Sequence, residues 1–356
     1  MISVVIPVHN SADYLEEALI SVEEQTFGDF EAILVENAST DDSPGICDSF
    51  CREHERFRCI HQDFDRGVSA SRNKGMKEAK GDLVIFLDSD DAYAPDAFEV
   101  MHRALEESGA DVVCCGYSFL KEGSGSPPPD PGENALAGGV HGSVITGREF
   151  TEGPMLSGDS HCWGKLFRRD AIGDALFPEG VTIGEDMLFL LSAMRGCRKI
   201  LMADDYRGYL YRTNPGGAML RPFTGSAMDQ IACWEKAAEV LGHTDRIDSI
   251  IVTNAVLTAS RIAKLPPGER KSYGRELETC RGKVLEHYRP SLRSLLPGGY
   301  PLKADILRLS SSLYAFLYSS ADRIAGAFGR GKTGSGAPYG NAGKGECSGT
   351  GQGGAS

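Results

Sequence analysis

No apolar stretch of this chain approaches the roughly 18 residues that a membrane-spanning helix needs. The start of the chain carries no secretory pattern either, because the run Ile2 to Val8 is too short for an h-region and has no basic flank. The expectation is a cytoplasmic protein. No Cys-x-x-Cys pair occurs among the ten cysteines, which argues against a structural zinc. Their scatter along a long chain favours reduced thiols over a disulfide framework. Cys47 and Cys51 fall on one helix face and Cys114-Cys115 in an apolar strand, so burial is their expected role. The glycine-rich dinucleotide fingerprint is missing too, since Pro7-Val8-His9-Asn10 follows the first strand. There is no internal repeat.

What is present is a chain of 356 residues with room for one large α/β domain and a smaller appendage. Its net charge of −13 is unevenly spread. Residues 261–332 hold 14 Lys+Arg against 6 Asp+Glu, a surplus of +8 that leaves −21 for residues 1–260. An acidic body with a basic helical end points to an anionic surface or substrate near that end, or to a solvated helical face. No nucleic-acid partner is expected.

Apolar runs and helical periodicity alternate over the first third, from Ile2–Val8 through Asp13–Gln25 and Glu31–Val35 to Asp111–Tyr117. This predicts an α/β fold, a mainly parallel central sheet with helices on both faces. Gly123 to Gly142 reads as a loop, and short strands near Lys199–Met202 and Tyr206–Tyr211 are expected to join the sheet. After Pro222 the pattern is wholly helical, with candidates at Ala227–Leu241, Arg246–Ala263, Arg270–His287 and Leu302–Ala327. The boundaries drawn are 1–215, a helical C-terminal region 222–328, and a Gly/Ser-rich tail 329–356 expected to be disordered. Gly326 to Thr333 fits the P-loop pattern letter for letter, but a helix precedes it where a strand is required, and it is discarded.

The segment Leu83 to Asp91 is the most informative. An apolar run of strand length delivers Asp88, Asp90 and Asp91 to its C-terminal end, where ligands bind in open α/β sheets. Clustered carboxylates repel unless a cation sits among them, and hard oxygen donors suit Mg²⁺ or Mn²⁺. An EF-hand loop is excluded by Ala92 and Tyr93. The other reading is a helix cap before Pro95, and the motif alone does not separate the two.

Four blocks in order widen the view: Val5-Ile6-Pro7-Val8-His9-Asn10, Val35-Glu36-Asn37-Ala38-Ser39-Thr40-Asp41, Gly67 to Asn73, and Phe86 to Asp91. Together with Cys162 to Phe167 and Gly184-Glu185-Asp186, they resemble a family 2 glycosyltransferase of the GT-A fold over roughly residues 1–215. The resemblance implies a donor site with Pro7, Val8, Asn10 and Glu36 around the nucleotide, Arg72 gripping the diphosphate, Asp65 nearby, and Asp88 shared with the metal. Asp88 and Asp90, the DXD pair, would hold a divalent metal, Mg or Mn. Asp186 would be the catalytic base, with Glu185 orienting the acceptor or capping the helix. Trp163 and Lys165 are acceptor-side candidates, Trp163 as a flat wall for a sugar ring or as ordinary core; Tyr209, Tyr211 and Arg212 also belong to that side. The sequence departs from the family where Glu36-Asn37-Ala38 replaces the usual Asp-Asp-Gly or Asn-Asp-Gly.

The function so implied is inverting transfer of a hexosyl or N-acetylhexosaminyl group from a nucleoside-diphosphate sugar, with UDP-sugar favoured. The acceptor would be a hydroxyl of a glycan or lipid-linked glycan in cell-surface polysaccharide synthesis. The alternative is an inactive nucleotide-sugar-binding or scaffolding protein. Leu302, Ile306, Leu309, Leu313, Phe316 and Leu317 repeat at helical spacing near Lys303, Arg308 and Arg323. They form either a peripheral contact with the inner face of the membrane or a packing face against the catalytic domain.

Overall fold

A computed structural model describes residues 1–120, 142–203, 205–213 and 223–327, with side chains as far as Ser319. The expected loop from Gly123 as far as residue 141, the expected tail 329–356 and residues 328–333 of the P-loop-like segment lie outside the described residues.

Eleven strands are described: β1 Ile2–Val8, β2 Phe30–Glu36, β3 Phe57–His61, β4 Leu83–Phe86, β5 Ala92–Tyr93, β6 Val112–Cys115, β7 Tyr117–Leu120, β8 Ser143–Ile145, β9 Lys165–Arg168, β10 Ile200–Ala203 and β11 Tyr209–Arg212. Eight form one sheet in the order β3-β2-β1-β4-β9-β6-β10-β8. β1 runs parallel to β2 and β4, and β6 parallel to β10. β9 is inserted antiparallel between β4 and β6, and β8 closes the edge antiparallel to β10. The sheet is mainly parallel, as the alternating pattern predicts.

Helices cover both faces because the central strands are apolar on both. Every residue of β1 is buried, and its side chains alternate between two cores. Val5 joins the cluster built with Phe86, Phe177 and Phe189, while Ile2, Val4, Ile6 and Val8 join the one built with Leu15, Leu19 and Phe98. The helix Gly67–Glu78 lies tight on the first of these faces, since a Cβ at Gly75 would stand 2.4 Å from Val5 Cγ1. Only glycine allows that approach. The same core continues into the C-terminal helices through Ile231, Trp234, Ile251 and Val252.

Three expectations change. The segment near Tyr206–Tyr211 does not enter the main sheet: β11 forms a second, three-stranded sheet between β5 and β7. The single helix expected over Leu302–Ala327 is two, Tyr300–Leu309 and Ser311–Ala327, broken at the extended Ser310. The Ser310 hydroxyl accepts from Leu313 N and starts the second helix, which is the cap chemistry a serine favours. The apolar stripe does not pack as a unit either. Leu302, Leu309 and Phe316 are 63%, 74% and 66% exposed, while Ala304, Leu307, Tyr314 and Ala315 are buried instead. These helices are apolar on more than one face, so periodicity alone does not say which face turns inward. No helix among the described residues is long and apolar enough to cross a membrane.

Candidate active site

The acidic run sits at the C-terminal end of β4, and its members do different things. Asp88 Oδ1 accepts from Arg72 Nη2 at 2.8 Å. Ser89 and Ser11 share a hydrogen bond of 2.6 Å that ties the run to the loop after β1. Asp90 O accepts from Arg212 Nε at 2.9 Å. Asp91 is buried and caps no helix: Oδ2 accepts from Tyr209 OH at 2.6 Å and Oδ1 from Arg212 N at 2.7 Å. The next helix starts later, at Ala97, so the cap reading of Asp91 is replaced by an anchor to β11.

Arg72, from the helix Gly67–Glu78, binds the two halves of the site. Its guanidinium is 4% exposed and reaches Asp88, Glu185 at 3.1 Å and Asp186 at 2.7 Å. It does not stand free for a phosphate, the role its place in the motif implies. Its Nη groups are taken by carboxylates, and its buried Nε has no hydrogen-bond partner among the described residues. Glu185 and Asp186 open the helix Glu185–Met194 after Gly184, whose φ of 97° favours glycine. Asp186 Oδ2 also accepts from Cys162 N at 3.0 Å. Both its oxygens are thereby oriented, one by a cation and one by a backbone amide.

Five carboxylates, Asp88, Asp90, Asp91, Glu185 and Asp186, gather near Arg72 and Arg212. Negative charge is in excess. Burial first, then Asp186, pushes Glu185 up to about 7 against the pull of Arg72. Burial, with Asp88 and Asp90, pushes Asp91 up to about 8. Asp88 is raised by burial as well, with Arg72 opposing. Oxygen donors with surplus negative charge fit a hard divalent cation, and Asp88 and Asp90 are the two residues of this cluster that the DXD spacing names.

Around the β1 and β2 ends the structure is more closed than the motifs imply. Pro7 and Val8 are buried. Glu36 is buried, with Ser39 N donating to it at 2.6 Å and His61 Nδ1 lying at 3.2 Å. Burial would raise its carboxyl, yet these hydrogen bonds hold it below the ordinary value. It supports the turn rather than offering a free oxygen to a ribose. Asn10 and Asp65 are the exposed members; Asn10 Oδ1 accepts from Thr40 N at 2.8 Å, and Asp65 Oδ1 from Asn37 Nδ2 at 2.6 Å and Gly67 N at 2.8 Å. Ala38, where the family usually has glycine, holds φ at 53°.

On the other side, His161, Trp163 and Tyr209 form a stack with centroid spacings of 4.0 and 4.3 Å. Trp163 is mostly buried in it, and burial first, then Lys165, pushes His161 down to about 4. Lys165 does not face an acceptor: it is buried and ion-paired with Asp159 at 2.5 Å. Sequence reasoning missed Asp159, Cys162 N and Ser11, and no local pattern marks them. A groove of about 700 Å³ lies elsewhere, along the helix Gly67–Glu78 and residues 169–179, and none of the five carboxylates lines it.

Residues 3–174 match the family model for glycosyl transferase family 2. The uncharacterized glycosyltransferase EpsJ of Bacillus subtilis (strain 168) is 32% identical over 239 residues, 65% of this chain and 66% of that protein. The poly(ribitol-phosphate) beta-glucosyltransferase of Bacillus spizizenii is 30% identical over 213 residues, 58% of this chain and 32% of that protein. The chain spans less than two thirds of the length of the curated relatives it matches. Among solved structures, S. aureus TarS 1-349 in complex with UDP-GlcNAc superposes with a TM-score of 0.64 at 20% identity, covering 91% of this chain and 92% of that chain, a likeness of fold. A mainly parallel sheet ending in Asp88-Ser89-Asp90, the Glu185-Asp186 pair brought to it by Arg72, and the match over residues 3–174 together place this chain in glycosyl transferase family 2.

Proposed function

We propose that this chain transfers a sugar from a nucleoside-diphosphate donor, a UDP-sugar, to a hydroxyl of a cell-surface glycan or lipid-linked glycan, with inversion at the anomeric carbon. The observation that carries this reading is the single guanidinium of Arg72 joining Asp88, on the donor side, to Asp186, on the acceptor side. The UDP-GlcNAc named for TarS and the glucosyl transfer named for the Bacillus spizizenii relative support the choice of donor class and acceptor class.

In this mechanism Asp186 takes the proton of the acceptor hydroxyl as its oxygen attacks the anomeric carbon, and the nucleoside diphosphate leaves from the opposite face. Arg72 and Cys162 N hold the carboxylate in place, so acceleration comes from positioning and fixed charge rather than a covalent intermediate. When bound, a divalent metal at Asp88 and Asp90 supplies positive charge for the departing diphosphate. Asn10 and Asp65, the exposed polar groups at the first strand ends, face the nucleotide, and the aromatic stack of His161, Trp163 and Tyr209 flanks the sugar.

The test is a panel of nucleotide sugars with a glycan acceptor, with and without Mn²⁺ or Mg²⁺. Asp186→Asn is expected to abolish transfer while donor affinity stays near wild type. Wild-type turnover by this variant would remove Asp186 from the base role, and donor binding without any transfer or hydrolysis in the wild-type chain would leave a binding protein.

The exposed Leu302, Leu309 and Phe316 beside Lys303 and Arg308 support peripheral docking of the C-terminal helices on an anionic membrane. Full-length protein is expected to sediment with anionic vesicles and a truncation before Pro301 to stay in solution. Equal behaviour of the two would end that part of the proposal.

A further inference from the structure

A second cluster of ligand-type side chains lies away from the acidic site, between β3 and the helix Ser43–Glu53. Cys59 and His61 are two apart on a strand and so project from the same face. That helix turns Cys47 inward and sets Asp48 at its border. The ligand atoms of Asp48, Cys59 and His61 lie within 4.8 Å of one another, and Asp48 Oδ1 meets His61 Nε2 at 2.9 Å. The Cys47 thiol is buried on the inner side of Cys59.

Two further observations mark this as more than a chance contact. His61 directs its other ring nitrogen, Nδ1, at Glu36 Oε2, 3.2 Å away. A metal-binding histidine characteristically gives its second nitrogen to a carboxylate in this way, which fixes the tautomer and strengthens the ligand. The outer face is also open, with the Asp48 and His61 side chains 60% and 44% exposed, so an ion has a way in. The histidine cluster of the C-terminal helices differs, because Arg289 on Asp248 and Lys283 on Glu286 already provide its positive charge.

We propose that Cys59, His61 and Asp48 form a three-ligand site, with a fourth position open to solvent, for a borderline-soft divalent ion of the zinc type. A thiolate, an imidazole and a carboxylate suit Zn²⁺ with one position left open, and suit Mg²⁺ poorly. Binding releases the Cys59 thiol proton and the His61 Nε2 proton to solvent, and replaces the Asp48–His61 hydrogen bond by a bond from each side chain to the metal. The site is independent of the donor reading, since none of its three ligands belongs to the acidic cluster. The absence of Cys-x-x-Cys does not exclude it, because its ligands come from one helix position and two strand positions two apart.

The full-length protein, reduced and stripped of metal, is titrated with Co²⁺ and then Zn²⁺. One equivalent of Co²⁺ is expected to give thiolate-to-cobalt charge-transfer absorption and tetrahedral visible bands that Zn²⁺ bleaches. Cys59→Ser should lose the charge-transfer intensity and His61→Ala should weaken binding, while His287→Ala changes neither. Glu36→Gln should lower affinity by on the order of 10–100-fold and keep the charge-transfer band. If Cys59→Ser fails to fold, zinc protection of Cys59 from alkylation in the wild-type chain, read by mass spectrometry, decides the matter. Co²⁺ bound without thiolate absorption, an unprotected Cys59, or a Cys47–Cys59 disulfide that forms equally fast under saturating Zn²⁺ would each overturn the proposal.

Discussion

Arg72→Met separates a guanidinium that holds the site together from one that waits for a phosphate. The methionine keeps much of the volume beside Phe177 and removes the charge. In the wild type the cation lies 2.7–3.1 Å from three carboxylates. At an effective dielectric constant of about 20, a charge pair about 4 Å apart contributes about 4 kcal/mol before desolvation. Desolvation of each ion and repulsion among the three acids offset most of that. Deleting the shared cation leaves the carboxylates buried without a partner, and breaking such a pair costs about 3–5 kcal/mol. With a shift of about 2–4 °C per kcal/mol for a domain of this size, the midpoint should fall by roughly 6–20 °C at pH 8. The sign with pH follows from Glu185, which burial and Asp186 push up to about 7. Below that value it sheds its charge, so the deficit of the variant should shrink toward pH 5. Thermal melts of both proteins at pH 8 and pH 5, without donor, read this directly. A variant melting within about 2 °C of wild type at pH 8, yet losing UDP affinity, would show that Arg72 serves the phosphate and not the cluster.

Ala38 sits at φ 53°, where an L-residue is strained by roughly 1–2 kcal/mol. Ala38→Gly relieves that strain but loosens the unfolded chain by about 0.4–1 kcal/mol, so a net gain of about 0.5–1 kcal/mol is expected in denaturant unfolding; a loss would mean that the turn after β2 is not the strained element. Asp248, buried among His243, His287 and Arg289, has its carboxyl held below the ordinary value by their hydrogen bonds, although burial opposes them. A depressed folded value contributes stability above the unfolded pKa of about 3.9 and loses it as pH falls through the folded value. Asp248→Asn should therefore cost about 1–3 kcal/mol at pH 7, with the difference from wild type closing below about pH 3.9. A constant difference across that range would remove the carboxylate charge as its cause.

Much of this protein is legible without coordinates. The alternation of apolar runs and amphipathic segments from Ile2 to Tyr117 determines a mainly parallel sheet, because strands buried on both faces must be apolar throughout and the helices between them must carry one apolar stripe. The position of Asp88 and Asp90 at the end of β4 follows from the same pattern, since chain direction in a parallel sheet determines which end faces the ligand. Long-range pairing is where the sequence falls silent. Nothing near Arg72 predicts that residues 113 and 114 positions later will share its charge, or that Asp91 will be held by β11 rather than cap a helix. Lys165 and Glu36 read as ligand-facing within their motifs, and the packing around them turns both inward, onto Asp159 and onto Ser39 and His61. Burial of a charge depends on whether a partner arrives from elsewhere in the chain, and that is a property of tertiary contact. The sequence by itself determined the sheet and the end at which its acids stand; only the tertiary structure decided which of those acids are anchored and which are tied through Arg72, because hydrogen-bond partners a hundred residues apart are brought together by packing, not by local periodicity.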